Sequence, residues 1–154
     1  MKKRSILLTS VILLLCLALL CGCQRKPKFT VGALSELNVR DDLGITLTAN
    51  SGSPTALGGE FTLYNGSDDY YFHGDFHYIE KKMEDGWHTL EIDVEFVSDL
   101  LLNPLYLYDP LPLSYDWSRS YGRLPAGEYR LLEEICYIEE TANSFYVSCE
   151  FTIE

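Results

Sequence analysis

From residue 43 onward the chain sets apolar against polar positions in short runs separated by turn residues, and no run holds a helical period. Ile45-Thr46-Leu47-Thr48 and Phe61-Thr62-Leu63-Tyr64 each place every second side chain on one face, and Asn65-Gly66-Ser67 closes the second run as a turn. A longer run from Tyr70 to Lys81 leads into Glu84-Asp85-Gly86-Trp87. Asp85-Gly86 suits the positive φ angles of a tight hairpin, so Trp87–Val94 is expected to return beside that run. Residues 100–112 are apolar but broken by Pro104, Pro110 and Pro112, which lack a ladder donor, so an edge strand or a crossover is expected there. Leu111, Leu113, Tyr115 and Trp117 then fall on one face. Tyr129–Tyr137 and Phe145–Ile153 form a last hairpin around residues 140–144. The pattern predicts an all-β domain of about seven strands without internal repeats.

The first residues follow a different rule. Lys2, Lys3 and Arg4 precede an apolar run to Leu20 whose polar breaks are Ser5, Thr9 and Ser10, the charged and apolar regions of a secretory signal. A spanning helix needs about 20 apolar residues, so length alone does not separate a cleaved signal from a retained anchor. Leu20-Cys21-Gly22-Cys23 resembles the lipobox of bacterial lipoproteins, with a leucine three places before the modified cysteine and a small residue just before it. Cys16 and Cys21 each follow a bulky leucine, which leaves Cys23 as the candidate. The resemblance implies cleavage before Cys23, a diacylglycerol on its sulfur and a palmitate-type acyl chain on the new amino group. Two or more chains hold a protein stably at a membrane, here on the extracytoplasmic side; an ordinary signal anchor is the alternative. Residues 1–22 are then the signal, 23–42 the lipidated cysteine and a tether, and 43–154 the domain. A flexible tether of this length would reach roughly 20–25 Å.

Charge narrows the partners. Removing residues 1–22 takes away Lys2, Lys3 and Arg4 and no acid, so nine basic residues face 23 acidic ones, a net −14. Such a field repels phosphate backbones and anionic lipid, so no nucleic-acid partner is expected and the domain should stand off its membrane. The mature chain keeps Cys23, Cys136 and Cys149, with no CxxC spacing, so neither a thiolate metal site nor another cofactor is expected. Cys136 and Cys149 lie in the two arms of the last hairpin, where a turn centred near Ala142 and Asn143 would set them opposite for a disulfide and a one-residue slip would not.

Asp116–Glu134 is the most specific stretch of the mature chain. Trp117, Tyr121-Gly122, Leu124-Pro125, Gly127 and Tyr129-Arg130, with the earlier segments Thr62–Phe76 and Ile79–Leu90, resemble the bacterial immunoglobulin-like domains of Gram-positive lipoproteins and cell-surface proteins. The resemblance covers most of residues 43–154 and implies a β-sandwich, with Trp117, Tyr121, Gly122, Gly127 and Tyr129 in structural roles. Tyr129 stands two residues before Leu131, the place of a tyrosine corner, and Leu131 replaces the cysteine of antibody domains.

Catalysis finds no support. No GxSxG elbow surrounds Ser114, Ser118 or Ser120, and the pairs Asp68-Asp69, Glu133-Glu134 and Glu139-Glu140 read as solvated charge. His73, Asp75 and His77 alternate along one expected strand, so a small-ligand or metal-sensing lipoprotein using that face is the alternative to a non-catalytic binding domain. The binding reading places the interaction surface at Tyr70, Tyr71, Leu105, Tyr106 and Tyr108, because tyrosine rings offer large contact area at low entropic cost. The expected partner is another exported protein, a peptide or a wall polymer.

Overall fold

The computed structural model describes residues 27–92, 102–137 and 144–154. The signal, Cys23, Val94 and the turn expected near Ala142 and Asn143 lie outside them. Nine strands are described: β1 (Phe29–Leu34), β2 (Ile45–Ala49), β3 (Gly59–Asn65), β4 (Tyr71–Met83), β5 (Gly86–Ile92), β6 (Asn103–Leu105), β7 (Leu111–Tyr115), β8 (Gly127–Tyr137) and β9 (Ser144–Ile153). Two antiparallel sheets result. One runs β1-β5-β4-β8-β9, with β6 pairing the upper part of β4; the other runs β2-β3-β7.

The alternation read from the sequence generates the sandwich. Ile45 and Leu47 on β2 and Phe61 and Leu63 on β3 point inward, and Ile79, Leu131, Ile135, Val147 and Phe151 meet them from the larger sheet. The lower end, where β4 finishes and β8 begins, is the most densely aromatic part of the core. Trp117 stacks on Phe151 at 5.7 Å and tilts against Phe61 at 6.4 Å, while Tyr129 stacks on the other side of Phe151 at 5.8 Å. The Tyr129 hydroxyl donates to the Pro125 carbonyl (2.8 Å), the geometry of a tyrosine corner, and Leu131 is fully buried two residues on. Tyr121 is buried and faces Phe29, and Gly122 follows it at φ 74°, which a side chain would resist.

Several expectations are corrected. About seven expected strands become nine because β1 forms in the expected tether and both ends of the proline-broken segment pair: β6 joins β4, and β7 joins the edge of the other sheet, so residues 103–115 are a crossover between sheets. In the β4–β5 hairpin Met83 pairs with Gly86, so the loop is Glu84-Asp85, and only Gly86, the first residue of β5, has positive φ (140°).

The tether is shorter than expected, because Phe29–Leu34 form β1 along β5. The Ser35 amide then bonds the Trp87 carbonyl on β5, and three residues later the Asn38 carbonyl accepts from Tyr146 on β9. The chain therefore passes diagonally over β4 and β8. The inner side is filled by Ile79, Tyr129 and Leu131, so this strap lies on the outer side, where Glu80 and Leu132 are fully buried. Beyond it, Arg40 pairs with Asp42, and Asp41 accepts from the Ser148 amide and hydroxyl.

The disulfide does not form. Cys136 pairs with Ser144 and Cys149 with Leu131, so the cysteines sit five ladder positions apart and both are free. Setting the two cysteines opposite would need a register centred two to three residues further along the chain than the observed one. Burial raises both thiol pKa values, with Glu134 adding to the effect at Cys136.

Candidate interaction end and the polar cluster beneath it

The β3–β4 loop (66–70), the crossover residues 106–110 and the end of β8 meet at the upper end of the sandwich. Tyr71 pairs with both Leu105 and Tyr137, and Asn65 bridges to Leu107. This register divides the expected surface. Tyr70 (69% exposed), Tyr106 (64%) and Tyr108 (56%) project into solvent, whereas Tyr71 and Leu105 are each 2% exposed and belong to the core. The reason is alternation at the sheet end: Tyr71 faces inward, where its ring meets Tyr137 at 4.9 Å and Phe145 at 5.7 Å. Tyr137 is the exposed member that the sequence reading missed (37%); its place at the end of an apolar strand gave no cue.

Tyr108 ties the end together. It adopts φ 59°, its amide bonds the Asn65 carbonyl at 2.8 Å, and its hydroxyl donates to Asp68 Oδ1 at 2.6 Å. A bulky residue in the left-handed region costs energy that its surroundings must offset. Here the two loops are joined by that residue. Asn65, fully buried, shapes the other loop by accepting from Ser67 and donating to the Asp69 carbonyl.

One layer below lies a buried polar cluster. Glu133 on β8 faces inward, 1% exposed, with Oε1 3.1 Å from His73 Nδ1 and Oε2 accepting from the Tyr115 hydroxyl at 2.6 Å. The bond from Tyr115 crosses from one sheet to the other. His73 Nδ1 also lies 3.2 Å from the Gly74 carbonyl, an acceptor only, so this nitrogen carries the proton. His77 packs its ring against Tyr115 at 4.3 Å. Burial raises the Glu133 pKa, opposed by the bonds from His73 and Tyr115, and burial lowers that of His77 to about 4. The Tyr115 pKa is raised by burial and by the neighbouring carboxylate.

This cluster decides against the expected metal-like face. Between His73 and His77 the β4 register shifts, with four residues of β4 spanning two of β8. The bulge turns Asp75 out to solvent, where Asn103 Nδ2 donates to it at 2.9 Å. Each histidine is engaged by protein groups, and among the described residues no three His, Cys, Asp or Glu side chains gather around a point that could hold a metal. His88 stands apart: its ring nitrogens lie 2.9 Å from the Gly32 carbonyl and 2.9 Å from Asp85, which raises its pKa through both contacts.

A two-sheet sandwich with a tyrosine corner at the start of β8 is an immunoglobulin-like arrangement, and comparison with known families agrees: the bacterial Ig-like domain family matches residues 41–151. The chain belongs to that family. No match was found among curated proteins or solved structures. The β1 strand and most of the strap precede the matched region, so this bacterial Ig-like domain carries an N-terminal extension folded onto its larger sheet.

Proposed function

We propose that this protein is a membrane-held, non-catalytic binding domain that presents its tyrosine-bearing loop end to another exported protein. The observation that carries the reading is the placement of the two ends. Residue 27 borders Arg123, Pro125 and Ile153 on the lower half of the sandwich, and Phe29 pairs with Ile92, three residues up β5 from Thr89, the partner of Glu80, whereas Tyr70, Tyr106, Tyr108 and Tyr137 are at the upper end, about half the length of β4 away. That separation is roughly 20 Å at about 3.3 Å per residue. With Cys23 lipidated on the extracytoplasmic side, residues 24–26 would reach at most about 14 Å, and the tyrosines would face away from the membrane. The strap and β1 support this orientation by fastening the N-terminal segment to both edges of one sheet. Exposed aromatic residues grouped on one surface mark recognition sites.

Two measurements test the reading. Acyl labelling in cells should be lost in Cys23→Ala and kept in Cys21→Ala; labelling that persists without Cys23 would remove the anchor. A photo-crosslinking side chain at position 106 in intact cells should trap one discrete partner, and the same side chain at position 84, on the lower turn, should not. Equal trapping at both positions would overturn the assignment of the surface.

A further inference from the structure

The proposed binding end also has a charge that selects among partners. The 66–70 and 106–110 loops carry Asp68, Asp69 and Asp109, all exposed, and contain no Lys, Arg or His. Of the seven described Lys and Arg residues, Lys81, Lys82, Arg119, Arg123 and Arg130 lie on the lower parts of the strands and in the lower loops, and Lys28, just before β1, donates to the Arg119 carbonyl. The seventh, Arg40, stands on the upper half near Tyr71 and Tyr137, where Asp42 pairs with it at 2.8 Å and offsets its charge. The lower end is therefore of mixed charge, whereas among the described residues the two tyrosine-bearing loops carry only acidic side chains, with Arg40, in its pair with Asp42, as their one cationic neighbour.

We infer that the tyrosine end binds an arginine- or lysine-bearing segment of an exported polypeptide, an inference that rests on the binding reading above. Two properties of the same surface converge on that chemistry. The face of a tyrosine ring is the negative side of its quadrupole and attracts a guanidinium or ammonium group. Asp68, Asp69 and Asp109 supply full charges beside those rings, and the Tyr108 hydroxyl orients the first of them through Oδ1. A phosphate-bearing wall polymer would meet like charge here, and opposed charges across an interface favour encounter and exclude such competitors. A neutral glycan would use the rings and leave the carboxylates without a counter-charge. A cationic chain uses both.

The test uses the full chain in detergent micelles and four fluorescent probes: a nona-arginine peptide, a nona-glutamate peptide, a neutral Gly-Ser peptide of equal length, and a neutral chitin oligosaccharide. The nona-arginine probe should bind, its affinity falling at least about tenfold between 50 and 300 mM salt because exposed charge pairs are screened. The combined variant Asp68→Asn, Asp69→Asn, Asp109→Asn should weaken it at least about tenfold, and Tyr70→Ala with Tyr106→Ala at least about fivefold, as loss of a cation–π contact entails. The control variant Glu60→Gln, Glu84→Gln, Glu150→Gln removes the same charge from exposed positions elsewhere and should change the affinity less than about twofold. Equal weakening in the two charge variants would reduce the effect to net charge and overturn the inference. Binding of the oligosaccharide, lost on tyrosine replacement, with no binding of nona-arginine would also overturn it while leaving the upper end as the site. Absence of any trapped partner at position 106 in cells would instead remove the binding reading beneath it.

Discussion

The two ends of this sandwich are both rich in aromatic residues, and they use them in opposite ways. At the lower end Phe61, Trp117, Tyr129 and Phe151 pack ring on ring between the sheets, and the one polar group of Tyr129 is bonded to a backbone carbonyl. At the upper end Tyr71 and Phe145 turn inward, while Tyr70, Tyr106 and Tyr108 stay in water. The difference lies in the chain path. Below, the 116–126 segment folds Trp117 back between the sheets; above, the crossover from β6 to β7 travels over the end of the sandwich and leaves its side chains outside. An aromatic residue contributes to stability in the first setting and is available for contact in the second.

Removing the lower packing should have the largest effect. Trp117→Ala deletes a fully buried ring and should cost about 3–5 kcal/mol, enough to unfold much of the population in a urea melt. A cost under about 1 kcal/mol would show that the lower end is not the stabilising one.

Acid should act on the layer between the ends. His77, with its pKa lowered to about 4 from an ordinary 6.5, is neutral in the fold and protonates first in the unfolded chain. Its contribution is complete above pH 6.5 and is lost as pH falls toward 4, amounting to about 3 kcal/mol at about 1.4 kcal/mol per pH unit. Glu133, whose pKa is raised by burial, acts with the opposite sign, its protonated form being favoured in the fold. The comparison to make is therefore between the parent and His77→Phe: the variant should lose less stability between pH 6.5 and 4, and identical pH slopes would exclude His77 as the cause.

Tyr129→Phe keeps the ring and removes the bond to Pro125, and should cost about 1–3 kcal/mol in the same melt; a change within error would mean that the hydroxyl does not hold the corner. The smallest effect should come from the other end. Tyr70→Ala together with Tyr106→Ala should alter stability by no more than about 0.5 kcal/mol, as exposed positions generally do. Unfolding in that variant would erase the distinction between the two ends.

The strands that form were largely legible in the chain because alternation is a local property. Ile45–Ala49, Gly59–Asn65 and Ser144–Ile153 carry one apolar face each, and the tyrosine two residues before Leu131 marked the corner. β1 was hidden because Phe29–Leu34 forms an edge whose residues are half-buried or exposed, leaving no clean alternation to read. The His73, Asp75 and His77 spacing misled for a related reason: a bulge changes which residues oppose one another, and nothing in a period-two pattern announces it.

By itself the sequence determined the class of fold, the acidic character of the domain and the presence of more aromatic side chains than a small core requires, since each follows from residue type and local order. Tertiary structure alone decided which tyrosines face water, that Cys136 and Cys149 stand apart, that Glu133 receives bonds from both sheets, and that the segment before the domain wraps one sheet from edge to edge. Those outcomes depend on register and crossing, which are set by contacts between residues far apart in the chain, and no window along the sequence contains both partners.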